Sequence, residues 1–277
     1  MFSSSQSFRV HRELCEDLFF FLCVSVSSVR NFKFFVFFYV LLFFGIAPVV
    51  GQFFGERQEV VVACYPFSVF LNAGISFLIY TFSIKGRIFD KPIERAREPF
   101  FVYSANTLLC FGVLFVSSCV FEAISYFLKI GGGLQEVIFP ASFLGWVNFF
   151  FGVVCAAFFE EVIYRFYLPR EFREIFGKLK VFRNSGTAQK AEFKVSAAAD
   201  NANEVLNRLW FSFLCEGLAL LLFGLGHIYL GVLGFLNALV CGAALRLCMA
   251  RTKSLWIPFA IHALYNFLSF LAVYLLF

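Results

Sequence analysis

The stretch from Leu209 to Met249, LWFSFLCEGLALLLFGLGHIYLGVLGFLNALVCGAALRLCM, carries only two charged side chains, Glu216 and Arg246. A run this long and apolar exceeds anything a water-soluble core element needs, since about 20 apolar residues already cross a bilayer as a helix. It reads as two successive spans, Leu209–Leu230 and Gly231–Met249. Inside lipid the backbone must satisfy its own hydrogen bonds, which selects helices. Further runs of spanning length flank it: Phe34–Val50, Val60–Ile84, Pro99–Leu128 and Val137–Leu168 before, and Leu255–Phe277 after. The sequence therefore predicts an all-α, polytopic transmembrane helix bundle of seven spanning helices. The count becomes eight if Leu18–Val29, read as an interfacial or partly inserted segment, also crosses.

Composition agrees. The 277 residues are 61% hydrophobic and only 15% charged, against about 25% charged in a soluble domain, with a mean hydropathy of +0.82. That excludes both an ordinary soluble globule and a disordered chain. The nine cysteines are odd in number, form no CxxC and mostly sit inside apolar runs. They are expected as small packing residues, not as a disulfide framework. The net charge of +5 is a membrane-protein balance and supplies no case for nucleic acid. Lysines and arginines number 4 before the first span, 5 after the second, 8 after the fourth and 3 at and beyond the end of the sixth. By the positive-inside rule these sides are cytoplasmic and the C-terminus lies outside, an arrangement expected for a multi-pass protein of the cell membrane.

Ionisable residues inside apolar runs carry the functional information, because each costs roughly 2.5–3.5 kcal/mol near the bilayer centre unless it is paired. Four clusters stand out. In Phe158–Arg165, Glu161 and Arg165 share a helix face at i, i+4 with the acid first, the favourable order for an ion pair. Glu160 lies about 100 degrees around from Glu161, so it is expected to need a partner of its own. His227 follows Gly224 and Gly226, small residues that admit a close neighbouring helix. His262 and Asn266 share a face at i, i+4. Glu122 and Glu216 have no same-face base and are expected to hydrogen-bond inside the bundle. Taken singly these are interfacial charges, packing histidines and interhelical bonds.

Together, a carboxylate, two histidines and an amide on three helices are the parts of a hydrolytic site. Glu160 is suited to take a proton from water with histidine assisting, while Asn266 and a histidine donate to a developing oxyanion. Glu160, His227 and His262 are equally a set that binds a divalent metal such as zinc. HExxH, GxSxG and a serine triad are absent. No internal repeat supports a transporter.

Glu160-Glu161-xxx-Arg165, Phe223-xxx-His227 and His262-xxx-Asn266 resemble, in type, order and spacing, the three motifs of the CPBP family (type II CAAX prenyl endopeptidases and bacteriocin-processing or immunity proteins, also called Abi). The likeness covers about Phe158 to Phe270, including Arg251–Pro258. It implies an intramembrane endopeptidase in which Glu160 and His227 activate water and His262 and Asn266 line the oxyanion hole, with Glu161 and Arg165 supporting. It implies either no obligatory cofactor or a divalent metal, and a membrane-associated protein or peptide as substrate. The alternative within the same family is a non-proteolytic scaffold or bacteriocin-immunity-type protein. The chain then divides into an N-terminal cytoplasmic or interfacial segment (1–33), N-terminal transmembrane helices (34–136) and a CPBP-like catalytic core (137–277) with a cytoplasmic loop at 169–208. Oligomeric state is not encoded in these motifs. One tension remains in the span pattern. His227 lies about 27 Å along a helix that starts at Leu209, while Glu160 and His262 fall near the inner side. A joint site requires the fifth helix to start deeper in the cytoplasm, to tilt steeply, or to meet the others at mid-depth.

Overall fold

Helices form where apolar length demands them, and their ends fall where proline, capping and β-branched residues dictate. The computed structural model describes residues 35–47, 49–50, 60–62, 64–84, 100–129, 136–177 and 197–276. Seven helices occur among them: α1 Phe35–Ile46, α2 Phe67–Ile84, α3 Phe100–Leu128, α4 Phe143–Gly177, α5 Ala197–Leu225, α6 Gly231–Thr252 and α7 Trp256–Leu276. The all-helical bundle is as the sequence predicts. By length and composition, α3, α4, α7 and the run Ile228–Thr252 containing α6 can each cross a membrane, while α1, α2 and the apolar part of α5 are shorter. Leu18–Val29 and the three-glycine turn at 131–133 lie outside the described residues.

Several predicted boundaries move, each for a local reason. The second span begins at Phe67 instead of Val60. The intervening Val60–Val62 pairs in parallel with Glu136–Ile138 as two short strands, β1 and β2. Valine favours extended backbone, and Pro66 has no N–H and suits a helix start. The fourth span begins at Phe143 instead of Val137. Ser142 caps it, accepting a hydrogen bond from the Gly145 N–H at 3.1 Å, which satisfies one of the open donors at a helix start. At the other end α4 runs on to Gly177, and α5 starts at Ala197. Most of the predicted loop 169–208 is therefore helix, and 178–196 lies outside the described residues. The extension Leu168–Gly177 is amphipathic, with Phe172 buried and Gly177 exposed.

Within α4, Glu161–Tyr167 is wound as a π-helix, the Leu168 N–H bonding to the Ile163 carbonyl five residues back. Pro169 explains the position. It has no N–H to return to the Arg165 carbonyl, so the regular ladder fails there. Such π-turns are rare and gather at functional sites.

The helices pack as α3 on α6, α2 on α4, α5 on α6, and α7 on α4 and α3, with the α4 extension against α5. Gly224 lets α5 approach α6, since a Cβ there would overlap Leu239. Gly226 has a different role from the expected one: its surroundings are its own chain, at the end of α5. Aromatic and aliphatic side chains such as Phe101, Leu108, Phe143, Phe213 and Leu275 face outward, the inverse of a soluble protein and the surface a bilayer solvates. Cys110, Cys215, Cys241 and Cys248 are buried free thiols, as the packing reading expects.

Candidate active site

The site forms around the π-turn. Phe158, Val162, Ile163, Tyr167 and Leu168 bury one side of α4 against its neighbours, which carries the adjacent charged residues into the interior. Glu161 is fully buried and Arg165 is 2% exposed, with Arg165 Nη1 3.3 Å from Glu161 Oε1. The predicted i, i+4 pair is present, on a wider turn than assumed. The guanidinium also lies 3.8 Å from the centre of the Phe223 ring of α5, a cation–π contact strengthened by desolvation.

From α7, His262 enters between the two glutamates. Its Nδ1 is 2.8 Å from Glu161 Oε1, and its Nε2 is 3.6 Å from Glu160 Oε2. A carboxylate only accepts, so Nδ1–H donates to Glu161, which fixes the imidazole with Nε2 facing Glu160. The second contact is ion-pair reach, longer than a hydrogen bond. Glu160 Oε2 accordingly is buried with no hydrogen-bond partner among the described residues. The 100-degree offset of the adjacent acids is thus resolved by one ring with two nitrogens. Glu160 and Glu161 bring two negative charges, Arg165 one positive.

His227 stands at the end of α5, its Nδ1 2.9 Å from the Phe223 carbonyl of its own helix. The Phe223 ring packs tilted against His227 at 4.5 Å between centroids and edge-to-face against Tyr164 at 5.5 Å. Phe223 thereby links His227 to Arg165 and the acidic centre. The start of α5 at Ala197 resolves the depth problem in favour of a fifth helix that begins well before Leu209. Asn266 is half-buried one turn beyond His262 on α7, and its amide makes no hydrogen bond among the described residues.

The alternative metal set is not gathered. His262 Nδ1 bonds to Glu161 and His227 Nδ1 to the Phe223 carbonyl, so each ring keeps its Nε2. Among the described residues no three His, Cys, Asp or Glu side chains group as ligands for an ion.

Glu216 and Glu122 part ways. Glu216 takes two 2.5 Å hydrogen bonds from Arg246 of α6 and pairs with Arg173 of the α4 extension at 3.1 Å. Its partners come from other helices, which no single-helix face reveals. Glu122, expected inside the bundle, is exposed on α3. Its flank of the helix also carries exposed Tyr126, so it is not a bundle-interior acid. Because Glu216 ties the extension to α5 and α6, Glu216→Gln is expected to speed amide exchange in Leu168–Gly177 while Phe143–Glu160 stays protected. Equal protection in both proteins would remove Glu216 from that role.

Residues 141–268 match the family described as Type II CAAX prenyl endopeptidase Rce1-like. The matched region contains Glu160, Glu161, Arg165, His227, His262 and Asn266. Over this region the chain is similar to the CAAX proteases of the CPBP family. No curated protein and no solved structure matched the sequence. The CPBP region supplies α4, α5, α6 and most of α7, the four helices that carry the site. The helices α1, α2 and α3, together with the strand-forming Val60–Val62, precede it. The family is one of CAAX-type intramembrane proteases, consistent with the outward apolar surface of the bundle. Sequence reasoning missed the π-turn and the position of His262 between the two glutamates. Only Pro169 hinted at the first of these.

Proposed function

We propose that the chain is an intramembrane endopeptidase that hydrolyses a peptide bond in a membrane-associated protein or peptide through water activated by Glu160. The observation that carries this reading is the Glu160 Oε2 atom, buried, without a hydrogen-bond partner among the described residues, and 3.6 Å from His262 Nε2. A water about 2.8 Å from each atom fits that separation. In this reading Glu160 accepts the proton of the attacking water, with His227 assisting from the end of α5. The proton then passes to the leaving amine, as general acid–base hydrolysis requires. His262, held by Glu161, and Asn266 on the same helix face donate to the oxygen on which charge grows. Arg165, paired with Glu161, supports the carboxylate that orients His262. No metal ion enters the scheme.

The test is cleavage of membrane-tethered peptides by the protein in lipid, the set including prenylated C-termini, leader peptides and membrane-protein loops. Wild type is expected to cut at least one class, to keep doing so with a chelator present, and to lose about 10²-fold or more in His227→Ala. Loss with the chelator, restored by added zinc, would overturn the metal-free scheme. No cleavage of any class, with a deletion phenotype still rescued by Glu160→Ala, would replace the peptidase by a scaffold.

A further inference from the structure

The matched region starts after α3, yet α1 is bonded to the middle of its site. Like the site-bearing helix α4, α1 carries a π-turn, Leu41–Ile46, where the Ala47 N–H bonds to the Leu42 carbonyl five residues back. The two turns share a feature of sequence. Each ends two residues before a proline, Pro48 in one case and Pro169 in the other. A regular helix would close the Phe44 carbonyl with the N–H of residue 48, and proline has none. The Tyr164 hydroxyl, from within the π-turn of α4, donates to that carbonyl. A side chain of one π-turn thus stands in for the backbone donor missing from the other.

The phenol does more than satisfy a carbonyl. Tyr164 is buried, and along the chain it lies between Glu161 and Arg165. Its ring meets Phe223 of α5 edge-to-face at 5.5 Å between centroids. Phe223 in turn holds the Arg165 guanidinium 3.8 Å from its ring centre and packs against His227 at 4.5 Å. On the α1 side, the Phe44 ring is edge-on to Phe159 at 4.9 Å, and Phe159 directly precedes Glu160. Phe44 therefore brackets the two glutamates, with its ring on Phe159 and its carbonyl on Tyr164. A phenylalanine at position 164 would keep the ring contact with Phe223 and lose the bond to α1.

We propose that Tyr164 is a positioning residue of the site: its hydroxyl ties the π-turn of α4 to α1, and the tied ring sets Phe223, and through it His227, where the histidine assists Glu160. The inference rests on the peptidase reading and deepens it, since it makes α1, a helix outside the matched region, part of what holds the site in place. The bond is buried, and a buried acceptor left without its donor is costly. A misplacement of about 1 Å can cost about 10²-fold in rate, so a hydroxyl that touches no reacting atom is still read in kcat.

The test is Tyr164→Phe in the full chain in lipid, assayed per folded molecule on whichever tethered peptide wild type cuts. The expected result is a fall in kcat of about tenfold or more with KM changed less than about twofold. Wild-type kcat, or a change confined to KM or to the folded fraction, overturns the assignment. Tyr164→Leu, which also removes the aromatic contact with Phe223, is expected to lose about a further tenfold, and a Leu variant as active as the Phe variant takes Phe223 out of the route. A readout independent of turnover is nitrogen NMR of ring-labelled histidine, of which the chain has three, with the His227 signals identified by their loss in His227→Gln. They are expected to move in Tyr164→Phe, because the Phe223 ring and the Phe223 carbonyl both act on that imidazole. A hydroxyl that only steadied α1 would leave them unmoved, and unmoved signals overturn the proposal. If wild type cuts nothing, the peptidase reading fails by itself, while the His227 signals still decide whether Tyr164 sets that ring.

Discussion

Glu160→Gln is expected to reduce peptide cleavage by about 10²–10⁴-fold, the range for removing a general base, and to leave the fold in place. The substitution keeps the size and planarity of the side chain and removes only its basicity. Glu160 Oε2 has no hydrogen bond to lose, and its distance to His262 Nε2 is 3.6 Å, so no strong structural contact is broken. Thermal unfolding in detergent is therefore expected close to wild type. An active Glu160→Gln would assign the base elsewhere, and a large loss of stability would make Glu160 a structural acid.

Arg165→Met is expected to do the reverse, costing stability first. It removes the only cation within ion-pair reach of Glu161 among the described residues, save a protonated His262. Breaking a buried pair by deleting one partner costs about 3–5 kcal/mol, because the other charge is left uncompensated. The cation–π contact with Phe223 is lost with it. Combining it with Glu161→Leu is expected to restore most of the stability, since apolar residues of similar volume replace the pair without a stranded charge. The double variant should nonetheless stay inactive, because the Nδ1 atom of His262 then has no acceptor to fix its orientation. Stability recovered together with activity would remove Glu161 from the site's function. A loss below about 1 kcal/mol in the single variant would make the pair behave like an exposed one.

The sequence by itself determined that this chain is an all-helical membrane bundle and which six residues to examine. The reason is that both signals are local. Apolar length and the i, i+4 spacings of Glu161 with Arg165 and of His262 with Asn266 are written along one helix at a time. The ends of α2 and α4 were also local matters of Pro66, Ser142 and valine preference, but there the hydropathy of Val60 and Val137 outweighed weaker cues. The tertiary structure decided everything that crosses between helices. It gave His262 to both glutamates, gave Glu216 to Arg246 and Arg173, turned Glu122 outward, and bonded Tyr164 to the Phe44 carbonyl. Each depends on how far one helix slides and rotates against another, a few ångströms set by the summed packing of many side chains. No periodicity within a single segment carries that information.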